Sequence, residues 1–166
     1  MKHPALTKGY SVIELVVYIS LFVLISLVVV QSLLYSMKTY SIARAYRTLQ
    51  RNAETSLNRI TSEIRQSSDV SAGSVFGSTP GTLVLTGTDS GGAPYTSTIS
   101  VSNGVIQIVT GGVTTALTSV EESVSDLTFW HIVTSTTDAI KLEVTYTTVR
   151  EPVITRTFYT TVVLRE

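Results

Sequence analysis

The sequence predicts an α+β protein: one long amino-terminal helix, then a head of antiparallel strands. Three observations predict it. No Pro or Gly falls between residues 10 and 72, so nothing there breaks a helix. Residues 12–30, VIELVVYISLFVLISLVVV, are apolar except for Glu14, Ser20 and Ser26. Beyond residue 82 the pattern changes to short runs of period two, punctuated by Gly and Asn-Gly, the mark of hairpin-linked strands.

The first element, residues 10–35, reads as a transmembrane helix. About 20 apolar residues rising ~1.5 Å each cross the ~30 Å hydrocarbon layer of a bilayer. The alternative is a core helix. A chain of 166 residues has little room to wrap a helix that is apolar on every side.

The second element, residues 36–67, continues the helix with a different surface. Ile42, Tyr46, Leu49, Ala53, Leu57, Ile60 and Ile64 recur three or four apart. At ~100° per residue they fall within an arc of about 80°. Arg44, Arg47 and Arg51 point the opposite way. Such an amphipathic rod needs an apolar surface to lie on.

The head, residues 68–166, begins with loop-like sequence at both ends of 68–92, SSDVSAGSVFGSTPG and GTDSGG. Leu83–Leu85 and Leu127–Val133 read as strands. Val101-Ser102-Asn103-Gly104-Val105 carries a tight hairpin turn. Ile140, Leu142, Val144 and Tyr146 alternate with Lys141, Glu143, Thr145 and Thr147, a half-buried strand. Phe158, Thr160, Val162 and Leu164 form the closing one. The amphipathic stripe is expected to cover one face of this sheet.

Composition excludes several functions. Hydrophobic residues make up 43% and charged residues 14%, which disfavours a disordered chain. Twelve basic and twelve acidic residues give no net attraction to nucleic acid. There is no Cys, hence no disulfide, thiolate metal site or cysteine nucleophile. His3 and His131 are the two histidines, too few for a histidine metal cluster. No nucleophile elbow, phosphate loop or HExxH is present. Asp89-Ser90-Gly91-Gly92 reads as a turn, lacking the spaced acidic ligands of a calcium loop. His131 reads as a packed or edge histidine. No catalytic residue, metal or cofactor is expected, and the acidic head argues against direct nucleic-acid binding.

The amino terminus is the most informative stretch. A secretory signal is cut at small residues after its apolar segment. Here QSLLYSM follows that segment and offers no such site; the small residue, Gly9, precedes it. Lys8-Gly9-Tyr10-Ser11-Val12-Ile13-Glu14 resembles the processing site of type IV pilins and type II secretion pseudopilins. The resemblance implies cleavage between Gly9 and Tyr10 by a prepilin peptidase, with 1–9 as the leader, and N-methylation at Tyr10. Glu14 would be the fifth residue of the mature chain, matching the family's glutamate. It also implies a pilin-like fold, an inner-membrane assembly platform and other pilins or pseudopilins as partners, and lipid around the helix. The leader would be cytoplasmic and the head outside. Counting Lys2 and Lys8 against Lys38, Arg44, Arg47 and Arg51 would invert that topology; the motif requires a cytoplasmic leader and takes precedence.

More loosely, Leu49–Arg65, Leu117–Phe129 and Val162–Arg165 are similar to the J-type pseudopilins and W-type minor pilins. Many major pilins carry a Pro near the position of Gln31 and a carboxy-terminal disulfide. This chain has neither, which favours a minor pilin or pseudopilin. The competing reading is a single-pass anchored protein with an unrelated β-rich binding head.

Glu14 has its own physics. A carboxylate in a membrane helix costs about 2.5–3.5 kcal/mol on insertion scales. It either snorkels to the interface or meets a cation. The ammonium created at Tyr10 of a neighbouring subunit is such a cation. Charge is also segregated. Residues 36–66 hold six basic and two acidic side chains, and residues from 67 onward hold four and nine. Arg44, Arg47 and Arg51 are therefore expected to face acidic head surfaces of adjacent subunits, with Glu121, Glu122 and Asp126 as candidates.

Overall fold

The structure, a computed structural model, describes residues 11–89, 91–119, 121–134 and 138–164. Helix α1 runs Val12–Gln66 without interruption for 55 residues. Among the described residues eight strands follow: β1 Asp69–Val70, β2 Leu83–Thr88, β3 Pro94–Ser102, β4 Val105–Thr110, β5 Val113–Ala116, β6 Glu122–Val133, β7 Asp138–Thr148 and β8 Thr155–Val163. The layout is α+β with every strand pair antiparallel.

The chain divides into two compact units, one ending at Ile42 and the other beginning at Ala43. The first contains the apolar part of α1. Its large side chains stand in the open, from Val12 at 81% to Tyr40 at 72% exposed. Among the described residues this is one helix long and apolar enough to cross a membrane, with none of its most apolar window buried. It passes Gln31 as regular helix.

The second unit joins the last turns of α1 to the strands. Leu49, Ala53, Ile60 and Ile64 are buried, as their spacing predicts. The upper end of the stripe is weaker: Tyr46 is half-buried and Ile42 is exposed. The buried arc is also wider on one flank. Ser56 and Glu63 are buried too, although at ~100° per residue they fall about 20–40° outside the apolar arc.

The strands form two sheets where one was expected: β1-β2-β3-β4-β5 and β6-β7-β8. After β5 the chain keeps its register along β4 for a residue or two more, and β6 then pairs with β7 and not with β5. Leu117 N donates to Ile106 O at 2.8 Å, and Ile106 N donates to Thr118 Oγ1 at 3.0 Å. Both sheets share one apolar core with the helix, including Leu85, Ile99 and Ile106 from the first and Leu127, Phe129, Leu142 and Val144 from the second.

The β3–β4 hairpin has the predicted turn, with Ser102 opposite Val105 and positive φ at Asn103 (52°) and Gly104 (74°). Gly104 has a second duty. Its carbonyl accepts from Val124 N at 2.8 Å, tying the sheets together. A Cβ there would stand 2.6 Å from Ser123 Oγ. In the 68–92 segment, β1 was not foreseen; its two residues pair with Thr86 and Leu85.

Candidate functional site

The proposed processing residues, Gly9 and Tyr10, lie outside the described residues. Glu14 lies in the first turn of α1 and is half-buried. Tyr18, one turn on, donates its phenol to Glu14 Oε1 at 3.3 Å. That is long for an O–H···O bond, and it is the carboxylate's one hydrogen bond among the described residues.

Arg44, Arg47 and Arg51 are all exposed, and no ion pair among the described residues engages them. Their expected acidic counterparts divide three ways. Asp126 is exposed, touched by Ser125 Oγ at 3.4 Å. Glu121 is exposed and sits 3.6 Å from Arg150 of its own chain. Glu122 is a correction: it is 3% exposed and is not a surface group. A β-bulge between Val124 and Asp126 is the reason. Counting back in twos from Phe129 and Leu127 would put Glu121 inward. The extra residue reverses that parity and turns Glu122 into the core instead.

There Glu122 joins a polar seam between α1 and the three-stranded sheet. Asn52 Nδ2 donates to Glu122 Oε1 at 2.7 Å. Glu122 Oε2 is buried with no hydrogen-bond partner. Beside it, Tyr146 is fully buried and its hydroxyl meets Ser56 Oγ. Ser56 already donates to Ala53 O at 2.9 Å, so Tyr146 is the donor. Burial pushes the Tyr146 phenol up to about 12, which keeps it a neutral donor. Sequence reasoning missed Asn52 and Ser56. Their signal is polar residues spaced among the apolar stripe positions.

Burial raises the Glu122 carboxyl above its ordinary value of 4.5; the Asn52 bond opposes this and the Glu121 charge adds to it. A pKa raised on folding contributes stability that is full below the unfolded value and is lost as pH rises through the folded one. Glu122→Gln mimics the protonated acid. The variant should match the wild type near pH 4.5 and be the more stable protein above the raised value. Urea midpoints of the detergent-solubilised full chain test this. Parallel pH profiles for the two proteins would refute it.

His131 is packed, as expected. It stacks on Phe76 at 5.4 Å, and its Nε2 lies 3.5 Å from Asp138 Oδ2. Asp89 caps a turn: its Oδ1 accepts from Gly91 N at 2.8 Å and Ala93 N at 2.9 Å. No group of three His, Cys, Asp or Glu among the described residues could hold a metal.

Comparison of the chain with protein-family models, with characterised proteins and with solved structures finds no match.

Proposed function

We propose that the chain is a minor pilin or pseudopilin of a type IV pilus or type II secretion system, assembled through its amino-terminal helix. The observation that carries the reading is the sequence Gly9-Tyr10-Ser11-Val12-Ile13-Glu14, of which Val12, Ile13 and Glu14 begin a helix of 55 residues. Three further features support it. The first part of that helix is bare and apolar. Its last turns carry a buried face against antiparallel strands. No Pro or Cys suggests the bulk-filament form.

In this reading the protein is the substrate of a prepilin peptidase and not itself an enzyme. The apolar helix holds it in the cytoplasmic membrane, head outside, until the assembly platform extracts it. Helix packing then supplies the lateral contacts, and the head supplies those specific to the subunit. The test is mass analysis of the amino terminus after co-expression with a prepilin peptidase. A chain beginning at methylated Tyr10 is expected. A functional chain that keeps residues 1–9 would overturn the proposal.

The unpaired arginines belong to the same picture. Reversing Arg47 and Arg51 to Glu should weaken assembly, more at low ionic strength than at high, because exposed charges are screened by salt. Assembly that tolerates the reversal at every salt concentration would remove these residues from the interface.

A further inference from the structure

A groove of about 700 Å³ opens between the last turns of α1 and the five-stranded sheet, bordered by Arg59, Glu63, Asp89, Tyr95, Ile108 and Val113. Glu63 is its unusual member. It is 6% exposed, yet no hydrogen bond among the described residues reaches its carboxylate. Its one ionic neighbour is Arg59, 3.7 Å away, whose own side chain is 61% exposed. Charge-assisted bonds run at ~2.7–2.9 Å, so Arg59 stands off. Its side chain is 8% exposed, so the carboxylate meets little water, and a carboxylate so largely covered ordinarily has donors.

The surroundings suit one kind of donor. Tyr95 lies opposite Gly87, and a Cβ on Gly87 would stand 2.8 Å from the Tyr95 ring. Glycine thus lets the ring lie flat on the neighbouring strand and form a fixed aromatic wall. Burial, and then the Glu63 charge, raise the Tyr95 phenol, as expected for a ring facing that carboxylate. Asp89 adds a second acid, held in place by its turn. Two carboxylates against one guanidinium leave the lining net negative. Ile108 and Val113 offer apolar surface for an aliphatic stem. An aromatic face beside a carboxylate suits a planar cation.

We propose that this groove is a docking site for an arginine side chain presented by a partner protein, with Glu63 as the buried acceptor and Tyr95 as the stacking wall. A protein surface has access to it. Strand β5 forms the rim, all four of its residues are exposed, and no strand pairs with its outer side among the described residues. The inference needs only the compact unit that begins at Ala43 and is independent of processing at Gly9.

The test is a titration of the full chain in detergent micelles, followed by NMR of the Tyr95 ring. N-acetyl-arginine methylamide is the probe and its neutral isostere, the citrulline derivative, is the control. The arginine probe should bind at least ~10-fold more tightly than the control, a difference of about 1.4 kcal/mol. Glu63→Gln should abolish that preference while circular dichroism remains unchanged. Arg59→Gln should leave probe binding equal or tighter. Should Glu63→Gln fail to fold, Val113→Arg replaces it: a tethered guanidinium should then block the probe. Equal binding of the two probes would mean that Arg59 already satisfies Glu63, and would overturn the proposal. So would retained preference in Glu63→Gln, lost binding in Arg59→Gln, or undiminished binding in Val113→Arg. Free arginine binding more tightly than the capped probe would make the groove a metabolite site and would equally overturn it.

Discussion

Ile60→Asp should unfold the head and leave the protein in the membrane. Ile60 is wholly buried, in a core that α1 shares with both sheets. The substitution removes apolar burial of about 1.5–3 kcal/mol. It also places a carboxylate among apolar neighbours, at a further cost of several kcal/mol. Domains of this size are stable by only about 5–15 kcal/mol, so the change consumes most of that margin or all of it. The exposed apolar residues from Val12 to Val30 lie in the other compact unit and owe nothing to that core. Membrane fractionation should therefore find the variant with the lipid, while limited proteolysis degrades residues beyond Ala43. A head that resists protease as the wild type does would show that the stripe is not its support. Ile60→Val is the control and should cost only about 0.5–1.5 kcal/mol.

That experiment rests on a feature that was legible in the chain. The spacing from Leu49 to Ile64 is local, and a local period survives whatever the rest of the protein does. The Asn103-Gly104 turn was legible for the same reason, since both residues accept the positive φ the turn demands. The alternation from Ile140 to Tyr146 likewise matches the buried face of β7. What stayed hidden is non-local. The split into two sheets depends on β6 pairing with β7 rather than with β5, a choice of partner that no window of sequence displays. The burial of Glu122 depends on a bulge whose extra residue, Ser125, has no distinguishing chemistry. The groove at Glu63 was partly readable: an acid one turn from Arg59 looks like an ordinary exposed helix pair. Only the placement of β5 and Tyr95 shows that the acid is covered while its counter-ion is not. Sequence thus gave each element's inward face where the period was unbroken and failed where a bulge or a long-range bond reset it.

Glu14→Ala should nearly abolish incorporation into a filament or tip complex, without loss of membrane insertion. The argument begins with what the carboxylate costs. In an apolar helix it opposes insertion by about 2.5–3.5 kcal/mol, and its internal compensation is a single long bond from Tyr18 at 3.3 Å. Alanine removes that cost, so the variant should enter the bilayer at least as well as the wild type. If Glu14 is only a burden on its own helix, with no contact that assembly needs, assembly should be unchanged or better. If it pairs with the ammonium at Tyr10 of a neighbour, the variant leaves that ammonium unpaired in a medium of low dielectric. Stranding one partner of a buried pair costs about 3–5 kcal/mol, or roughly 10²- to 10⁴-fold in incorporation. Tyr18→Phe separates the two cases. It removes the internal donor and keeps the carboxylate, so it should assemble normally under the pairing model. Quantifying both variants in sheared filaments or purified complexes, against equal membrane pools, decides the matter. Normal incorporation of Glu14→Ala would refute the pairing. Equal loss in both variants would assign Glu14 to its own helix, and the register between subunits would then have to come from the head.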